Sequence, residues 1–283
     1  MAGRLDVRKT YKLYINGEFP RSESGRSYPA RGADGEVLAR VARASRKDLR
    51  EAVRAARAAL EKWAAKTGYN RGQIIYRIAE MTEDRAEVFG QQLRQGGATS
   101  GQARAEVARA IDRLVWYAGW ADKFVQIYGN LNPVAGPFFN ISSPEPTGVV
   151  GIIAPETPAL LGLVSRLAPV LVGGNTAVVV ASESQPLAAI TFSEVLESSD
   201  VPPGVVNVLT GQAVELAPWL ADHMDVNAVD LAGAEPEVAL RVQQGGVHNV
   251  KRLVGTDGYS DVQSPYLVAA FTETKTVWHP KGL

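Results

Sequence analysis

The sequence of 283 residues contains no cysteine. Its absence excludes disulfides, thiolate metal sites and thiol nucleophiles from these residues. Histidine is also rare, and His223, His248 and His279 lie in separate segments without the spacing of metal ligands. We therefore expect no metal site.

Long apolar runs are absent as well. No stretch of about 18 uninterrupted apolar residues occurs, which argues against a membrane-spanning helix. The opening residues, MAGRLDVRKTYKLY, lack the apolar core of a secretory signal. Thirty basic residues balance thirty acidic ones, so no global field favours nucleic acid or a membrane surface. These absences predict a soluble, cytoplasmic protein with no nucleic-acid or membrane partner.

Short β-branched runs alternate with apolar helical patterns over residues 147–258, and several runs are apolar on both faces. The runs are VVGIIA (149–154), AVVVA (177–181), VVNVLT (205–210), AVDLAG (228–233) and VKRLVG (250–255). The intervening helices are expected at about 159–172, 187–198, 213–222 and 236–245. Such alternation implies a parallel sheet covered by helices on both sides. The predicted fold class is α/β, a Rossmann-like doubly wound parallel sheet.

Residues 1–122 are expected to supply N-terminal strands and a helical layer of the same domain. KLYING (12–17) and EVLARVA (36–42) are typical of extended segments, and Asn16-Gly17 forms a turn signal. Ser45 is the predicted N-cap of the first helix. Helical spacing of apolar residues predicts helices over 46–65, 71–95 and 103–125.

Two further segments are predicted to be extended. Residues 123–146 carry turn signals at Gly129-Asn130 and Gly136-Pro137, which suggests a β-hairpin arm. Residues 259–283 are interpreted as a linker followed by a C-terminal strand, because 271–278 alternate in polarity.

Several motifs follow one another from about residue 11 to 255. They are LYINGEF, YAGWADK, PTGVVGIIAP, LAPVLVGGNTAVVV and PPGVVNVLTG. With the final FTETKTVWHP, they resemble the aldehyde dehydrogenase superfamily. In that family a catalytic domain with the nucleophilic cysteine separates the cofactor domain from the tail. Here about ten residues, GTDGYSDVQS, join them, so the chain is similar to the degenerate, cysteine-lacking second halves of certain duplicated dehydrogenases.

The resemblance implies that the catalytic positions are degenerate. Thr157 stands where the family has the asparagine that stabilises the oxyanion, a contribution worth about 3–4 kcal/mol in enzymes. Thr256 falls near the general-base glutamate, and the neighbouring Asp257 is interpreted as a turn residue. No catalytic residue is predicted.

The cofactor positions are partly kept. Val180 replaces a lysine and Ala234 replaces a hydroxyl residue, whereas Glu183 and Gly233 match the family's pattern. Glu183 is a candidate acceptor for ribose hydroxyls, with capping of a helix N-terminus as the alternative. Glu235 adds negative charge near the expected phosphate position. We expect no cofactor, with weak NAD(P) binding as the alternative.

The function implied by the resemblance is that of a catalytically inactive structural or regulatory subunit. The expected partner is a full-length aldehyde dehydrogenase subunit, or a second copy in a homo-oligomer, bound through 123–146 and 265–283. Two alternatives stay open: an NAD(P)-binding module, and residual oxidoreductase activity only within a complex.

Overall fold

The computed structural model describes residues 9–282. The start of the N-terminal segment (1–8) and the last residue of the predicted tail (283) lie outside the described residues. The strands are β1 (Ser27–Arg31), β2 (Val37–Ala42), β3 (Asn130–Asn132), β4 (Phe138–Pro146), β5 (Val149–Ile153), β6 (Thr176–Val180), β7 (Val206–Leu209), β8 (Ala228–Asp230), β9 (Arg252–Val254) and β10 (Thr272–Pro280). The α-helices are α1 (Arg46–Ala64), α2 (Gly68–Asp84), α3 (Ala86–Gln95), α4 (Ser100–Trp120), α5 (Phe124–Tyr128), α6 (Ala159–Val172), α7 (Pro186–Glu197), α8 (Ala213–Asp222), α9 (Pro236–Gly246) and α10 (Pro265–Ala269).

Five parallel strands form the central sheet in the order β7-β6-β5-β8-β9. The chain moves outward from β5 to β7 and then returns to place β8 on the other side of β5. Val150, for example, pairs with Ala177 on one side and with Ala228 on the other. The predicted doubly wound α/β fold is confirmed, and its topological switch point lies between β5 and β8.

Both faces of this sheet are buried, because alternate residues of each strand point to opposite helical layers. Val150 and Ile152 pack with α6 and α7, which are covered in turn by α2, α3 and α4. Val149 and Ile153 pack with α1, α8 and α9. All residues of α6 are buried, as expected for a helix that is apolar on every face except at Ser165 and Arg166. No helix within residues 9–282 combines the length and apolar character needed to cross a membrane.

The N-terminal layer departs from the prediction in two places. The predicted single helix over 71–95 is wrong, because the backbone breaks at Arg85 (φ −103°, ψ 15°) and divides it into α2 and α3. The break accompanies an ion pair between Arg85 and Glu194 of α7, 3.3 Å long. The segment 12–17 forms isolated bridges instead of a strand; Tyr14, for example, exchanges backbone hydrogen bonds with Val208. The N-cap at Ser45 is confirmed.

The strands β3, β4 and β10 form a second, antiparallel sheet in the order β10-β4-β3, which we call the arm sheet. β10 and β4 are paired along their whole length, from Thr272 opposite Pro146 to Pro280 opposite Phe138. The predicted hairpin is present, but its first part is wrong, because α5 is helical and stacks Phe124 on Tyr128 one turn later.

The C-terminal segment also begins with a helix that the sequence interpretation missed. The side chain of Ser264 caps α10 by accepting from the Tyr266 N–H at 3.2 Å, and Pro265 occupies the first helical turn. Proline is well tolerated at that position because its missing N–H has no partner there in any helix. Only the part from Thr272 onward is extended, as predicted.

Candidate functional site

A crevice of about 630 Å³ opens at the carboxyl end of the parallel sheet. The loops that follow β5, β6 and β8 line it, together with β1 and the first turns of α8 and α9. Ligands of open α/β sheets bind at this edge, beside the switch point. The lining side chains and backbone belong to Tyr28, Pro29, Arg31, Glu156, Glu183, Ser184, Ala213, Val214, Gly233, Glu235 and Val238.

The carboxylate of Glu156 is held inside this crevice by four donors. Its Oε1 accepts from the backbone N–H of Glu183 at 2.8 Å. Its Oε2 accepts from the backbone N–H of Ser184 at 3.0 Å and from the hydroxyls of Ser182 and Ser184 at 2.9 and 2.5 Å. The loop after β5 is thereby joined to the turn that leads into α7.

These hydrogen bonds decide the charge of Glu156. Burial opposes ionisation and is the largest single influence. The donors from Ser184, Glu183 and Ser182 together outweigh it and lower the pKa of Glu156 below its usual 4.5. The group is therefore an anion at neutral pH. This role of Glu156 was not predicted, because its partners lie in the turn after the neighbouring strand β6 and no local pattern specifies them.

Glu183, a predicted cofactor residue, does line the crevice. Its carboxylate accepts from the side-chain amide of Gln212 at 3.1 Å. Gln212 accepts in turn from the guanidinium of Arg43, which also binds Glu215 at 2.6 Å. Glu183 thus belongs to a chain of polar contacts that connects the loops after β6 and β7.

Gly233, the other predicted cofactor residue, also lines the crevice, and packing explains its identity. A Cβ on Gly233 would lie 2.2 Å from the backbone carbon and oxygen of Ala154 and 2.4 Å from the nitrogen of Pro155. Its N–H donates to the carbonyl of Ile153 at 3.1 Å. Only glycine permits this approach, whatever ligand the crevice holds.

The degenerate positions do not line the crevice. Val180 is 1% exposed and belongs to the core face that packs on α1, α8 and α9, and Ala234 is half-buried against the same face. Thr157 and Thr256 are exposed and do not line the crevice. The structure therefore places Glu183 and Gly233 in one crevice and leaves the two threonines outside it.

Tyr28 also lines the crevice, and no sequence pattern predicts a role for it. Its hydroxyl is buried and has no hydrogen-bond partner in the described part of the chain. Burial, with smaller contributions from Glu183 and Glu156, raises the pKa of this phenol well above its usual value, so it remains a neutral donor. Tyr28 lines the same crevice as the carboxylates of Glu156, Glu183 and Glu235.

A buried ion pair supports the loop that contains Gly233. Arg166 of α6 donates to Asp230, the last residue of β8, with an Nε–Oδ2 distance of 2.6 Å. The second oxygen of Asp230 accepts from the Ala232 N–H at 3.0 Å. The pair fixes the end of β8 immediately before the chain turns into the crevice.

The short connection between β9 and α10 is attached to the helical layer. Asp261 binds the guanidinium groups of Arg109 and Arg113, the latter at 2.8 Å. Arg113 also donates to the hydroxyl of Ser165 on α6 at 2.7 Å. The connection over 255–264 therefore packs against α4 and α6.

Most of the chain matches one family model, and its sequence is similar to members of that family. Residues 21–261 match the model described as "Aldehyde dehydrogenase family". The sequence is 34% identical over 255 residues to retinal dehydrogenase 2 of Mus musculus, covering 88% of this chain and 48% of that protein. The chain spans about half the length of the curated relatives it matches.

Solved structures of similar fold also cover most of this chain. HpcC from Thermus thermophilus has a TM-score of 0.82 at 32% identity, covering 87% of this chain and 47% of that chain. The NAD⁺ complex of an aldehyde dehydrogenase from Bacillus cereus has a TM-score of 0.81 at 27% identity, covering 87% and 50%. Because such a similar structure holds NAD⁺, the expectation that this chain binds no cofactor is not supported.

The turn before α7 is not open to a phosphate in the arrangement seen here. Backbone N–H groups at a helix N-terminus are the usual partners of a pyrophosphate. In the turn that precedes α7, the N–H groups of Glu183 and Ser184 already donate to Glu156. Three carboxylates and one guanidinium, that of Arg31, are the charged groups lining the crevice.

Proposed function

Because the chain belongs to the aldehyde dehydrogenase family, we propose that it serves as a non-catalytic structural or regulatory subunit. Its partner is a full-length aldehyde dehydrogenase subunit or a second copy of this chain. The arm sheet is the docking surface. The observation that carries this proposal is the exposed apolar stripe on that sheet.

The lack of a nucleophile supports the non-catalytic role. These 283 residues contain no thiol, and the exposed Thr157 offers a short hydroxyl in place of an amide donor. Without a thiol no thiohemiacetal can form, and the amide donor that would stabilise its oxyanion is missing as well.

The apolar stripe crosses all three strands of the arm sheet. Leu131 of β3 and Val277 of β10 both lie opposite Ile141 of β4, so the three side chains share one face. They are 67%, 48% and 47% exposed, respectively. Contiguous apolar side chains on a strand surface are typical of an interaction site.

The outer edge of β10 offers a second mode of contact. β10 pairs with β4 on one side only, and it forms the edge of the arm sheet. An edge strand presents unpaired backbone N–H and C=O groups to another strand. The edge and the stripe meet at Val277, so a partner strand and an apolar partner surface can be engaged together.

The proposal is tested with the purified chain, alone and mixed with a full-length aldehyde dehydrogenase of the same source. Light scattering after size exclusion measures the mass of each species. We expect a complex or a dimer that Val277→Lys and Ile141→Lys abolish. Leu240→Lys is the matched control, because Leu240 is 55% exposed on α9, away from the arm sheet.

A monomeric wild-type chain that also leaves the full-length enzyme unaltered contradicts the proposal. Equal assembly by the wild type and both arm variants contradicts the docking surface. Loss of assembly in the Leu240 control as well would assign the effect to added surface charge instead of to the arm.

NAD(P) binding is the second candidate function, favoured by the NAD⁺ complex of the similar Bacillus cereus enzyme and by the placement of Glu183 and Gly233 in one crevice. Calorimetry with NAD⁺ and NADP⁺ tests it. Saturable heat supports a dinucleotide-binding module, and its absence at millimolar concentration removes this candidate.

A further inference from the structure

We infer that a second cavity of the molecule binds a small phosphate-bearing anion, such as a phosphomonoester or pyrophosphate. This cavity, which we call the basic cavity, has a volume of about 300 Å³ and shares no lining residue with the crevice. Cavities that hold small molecules range from about 300 to 1,000 Å³, so a ligand at the small end of that range fits it. The inference is independent of assembly through the arm sheet and of dinucleotide binding in the crevice.

The lining of the basic cavity is cationic. Four basic side chains contribute to it, and the described residues supply no Asp or Glu to it. The basic side chains are those of Lys12, Arg21, Arg26 and Arg40, and the hydroxyl side chains of Thr10 and Ser27 lie among them. Because the whole sequence has no net charge, this is a local concentration of positive charge, which attracts anions.

Three adjacent extended segments form the floor of the basic cavity. Ala42 of β2 lies opposite Ser27 of β1 in their antiparallel pair. On the other side of β2, the parallel bridge between Tyr11 and Val41 brings Lys12 alongside Ala42. Paired residues of neighbouring strands point to the same face, so the side chains of Lys12 and Ser27 flank the small Ala42. The result is a recess with a cation on one side and a hydroxyl on the other.

Three of the four cations have no carboxylate partner in the described part of the chain. Lys12 is half-buried, and neither its ammonium nor the guanidinium of Arg21 has a hydrogen-bond or ion-pair partner there. Arg40 lies two residues before Ala42 and therefore on the same face of β2. The one polar contact of its guanidinium among these residues is a long hydrogen bond of 3.4 Å to the hydroxyl of Ser27.

Neighbouring basic residues, by contrast, do have carboxylate partners. Lys47 binds Glu23 at 3.1 Å, and Arg26, the fourth cation of the cavity, lies 3.7 Å from Glu215. Cations that lie close together without a counterion repel one another. An anion bound in the basic cavity relieves that repulsion.

Charge and donor number favour a phosphate over a carboxylate. A guanidinium such as that of Arg21 or Arg40 presents two parallel N–H groups that match two phosphate oxygens. The ammonium of Lys12 adds a point charge, and the hydroxyls of Thr10 and Ser27 are donors for further oxygens. A phosphomonoester carries a charge of about −1.5 to −2 at pH 7, whereas a carboxylate carries a single charge. Three unpaired cations are therefore matched better by the phosphate.

The experiment measures binding of pyrophosphate, inorganic phosphate and acetate by calorimetry at about 0.1 M salt, which screens long-range attraction. We expect saturable binding of pyrophosphate, weaker binding of phosphate and no binding of acetate at millimolar concentration. Lys12→Gln and Arg40→Gln should each weaken pyrophosphate binding about fivefold or more, because each removes one unpaired cation from the cavity. Arg104→Gln is the matched control: it removes an exposed cation from α4 that does not line the cavity, so pyrophosphate binding should stay unchanged.

The inference is overturned if no anion binds at millimolar concentration, or if acetate binds as tightly as pyrophosphate. It is also overturned if Arg31→Gln weakens pyrophosphate binding while Lys12→Gln and Arg40→Gln do not, because the anion would then occupy the crevice. An equal loss in Arg104→Gln has the same consequence, because the net charge of the protein would then explain the effect.

Thermal melting verifies that each variant is folded. Lys12→Gln and Arg40→Gln are independent substitutions, so either one carries the test if the other is unstable. Assembly and NAD⁺ binding are measured separately, so the failure of either proposal leaves the result for the basic cavity unaffected.

Discussion

Arg166 donates to Asp230 at 2.6 Å, and the two side chains are 3% and 0% exposed. Removing one partner of such a pair leaves a buried, uncompensated charge. We expect Asp230→Ala to lower the free energy of unfolding by about 3–5 kcal/mol, as measured by urea denaturation.

The double variant Arg166→Met/Asp230→Val provides the control for that prediction. Replacing both charges with apolar groups of similar volume removes the desolvation cost together with the attraction. The double variant should therefore be more stable than Asp230→Ala. Equal destabilisation by the two would show that packing, and not the unpaired charge, sets the cost.

The variant Gly233→Ala tests whether close packing explains the glycine at this position of the crevice. Gly233→Ala places a methyl group 2.2 Å from the backbone of Ala154, so the loop must shift, at a cost of about 1–3 kcal/mol. Gly119→Ala is the control, because nothing lies within 4 Å of its added Cβ in α4, and it should gain about 0.5–1 kcal/mol. Chemical denaturation of both variants without ligand measures the difference; an unchanged Gly233→Ala would refute the packing explanation.

The pH dependence of stability follows from Glu156. Its pKa is lower in the folded protein than the usual 4.5, so its stabilising contribution is fully present above pH 4.5. That contribution disappears as the pH falls through the folded-state pKa. The stability difference between the wild type and Glu156→Gln should therefore be constant near pH 7 and shrink below pH 4.5. A difference that stays constant in denaturation curves down to acidic pH would show that the charge of Glu156 does not stabilise the fold.

Val250 adopts a left-handed backbone conformation (φ 53°, ψ 46°) and is 91% exposed. A β-branched residue in this region costs about 1–2 kcal/mol relative to glycine. Val250→Gly should therefore raise the melting temperature. Val247→Gly is the control, because Val247 is also exposed but has helical angles, and there glycine should destabilise by about 0.5–1 kcal/mol. Two changes of the same sign would rule out backbone strain at Val250.

Most of the parallel sheet was predictable because its strands are buried on both faces. Continuous β-branched runs such as 176–180 contrast sharply with the neighbouring helices, and their predicted limits differ from the structure by only a few residues. The break at Arg85 was not predictable, because neither glycine nor proline marks it and the ion pair to Glu194 is a tertiary contact. The helix α5 was missed because its turn signal at Gly129-Asn130 outweighed a five-residue pattern.

The candidate site was only half predictable. Glu183 and Gly233 were located by resemblance, but the partners of Glu156 come from a neighbouring strand and no local pattern specifies them. Arg166 did carry a usable signal. It is the single charged residue in a helix whose other residues, apart from Ser165, are apolar, and a charge in such a place requires a buried partner.

The ladder between β4 and β10 joins distant parts of the chain: Thr147 and Glu273, at one end of it, are 126 residues apart. At a synthesis rate of about 5–20 residues per second, β4 emerges roughly 6–25 seconds before β10. During that interval the edge of β4 that later receives the tail is open to a strand of another nascent or finished chain. Because β4 is translated first, the chain's own tail and any incoming strand compete for the same edge of β4.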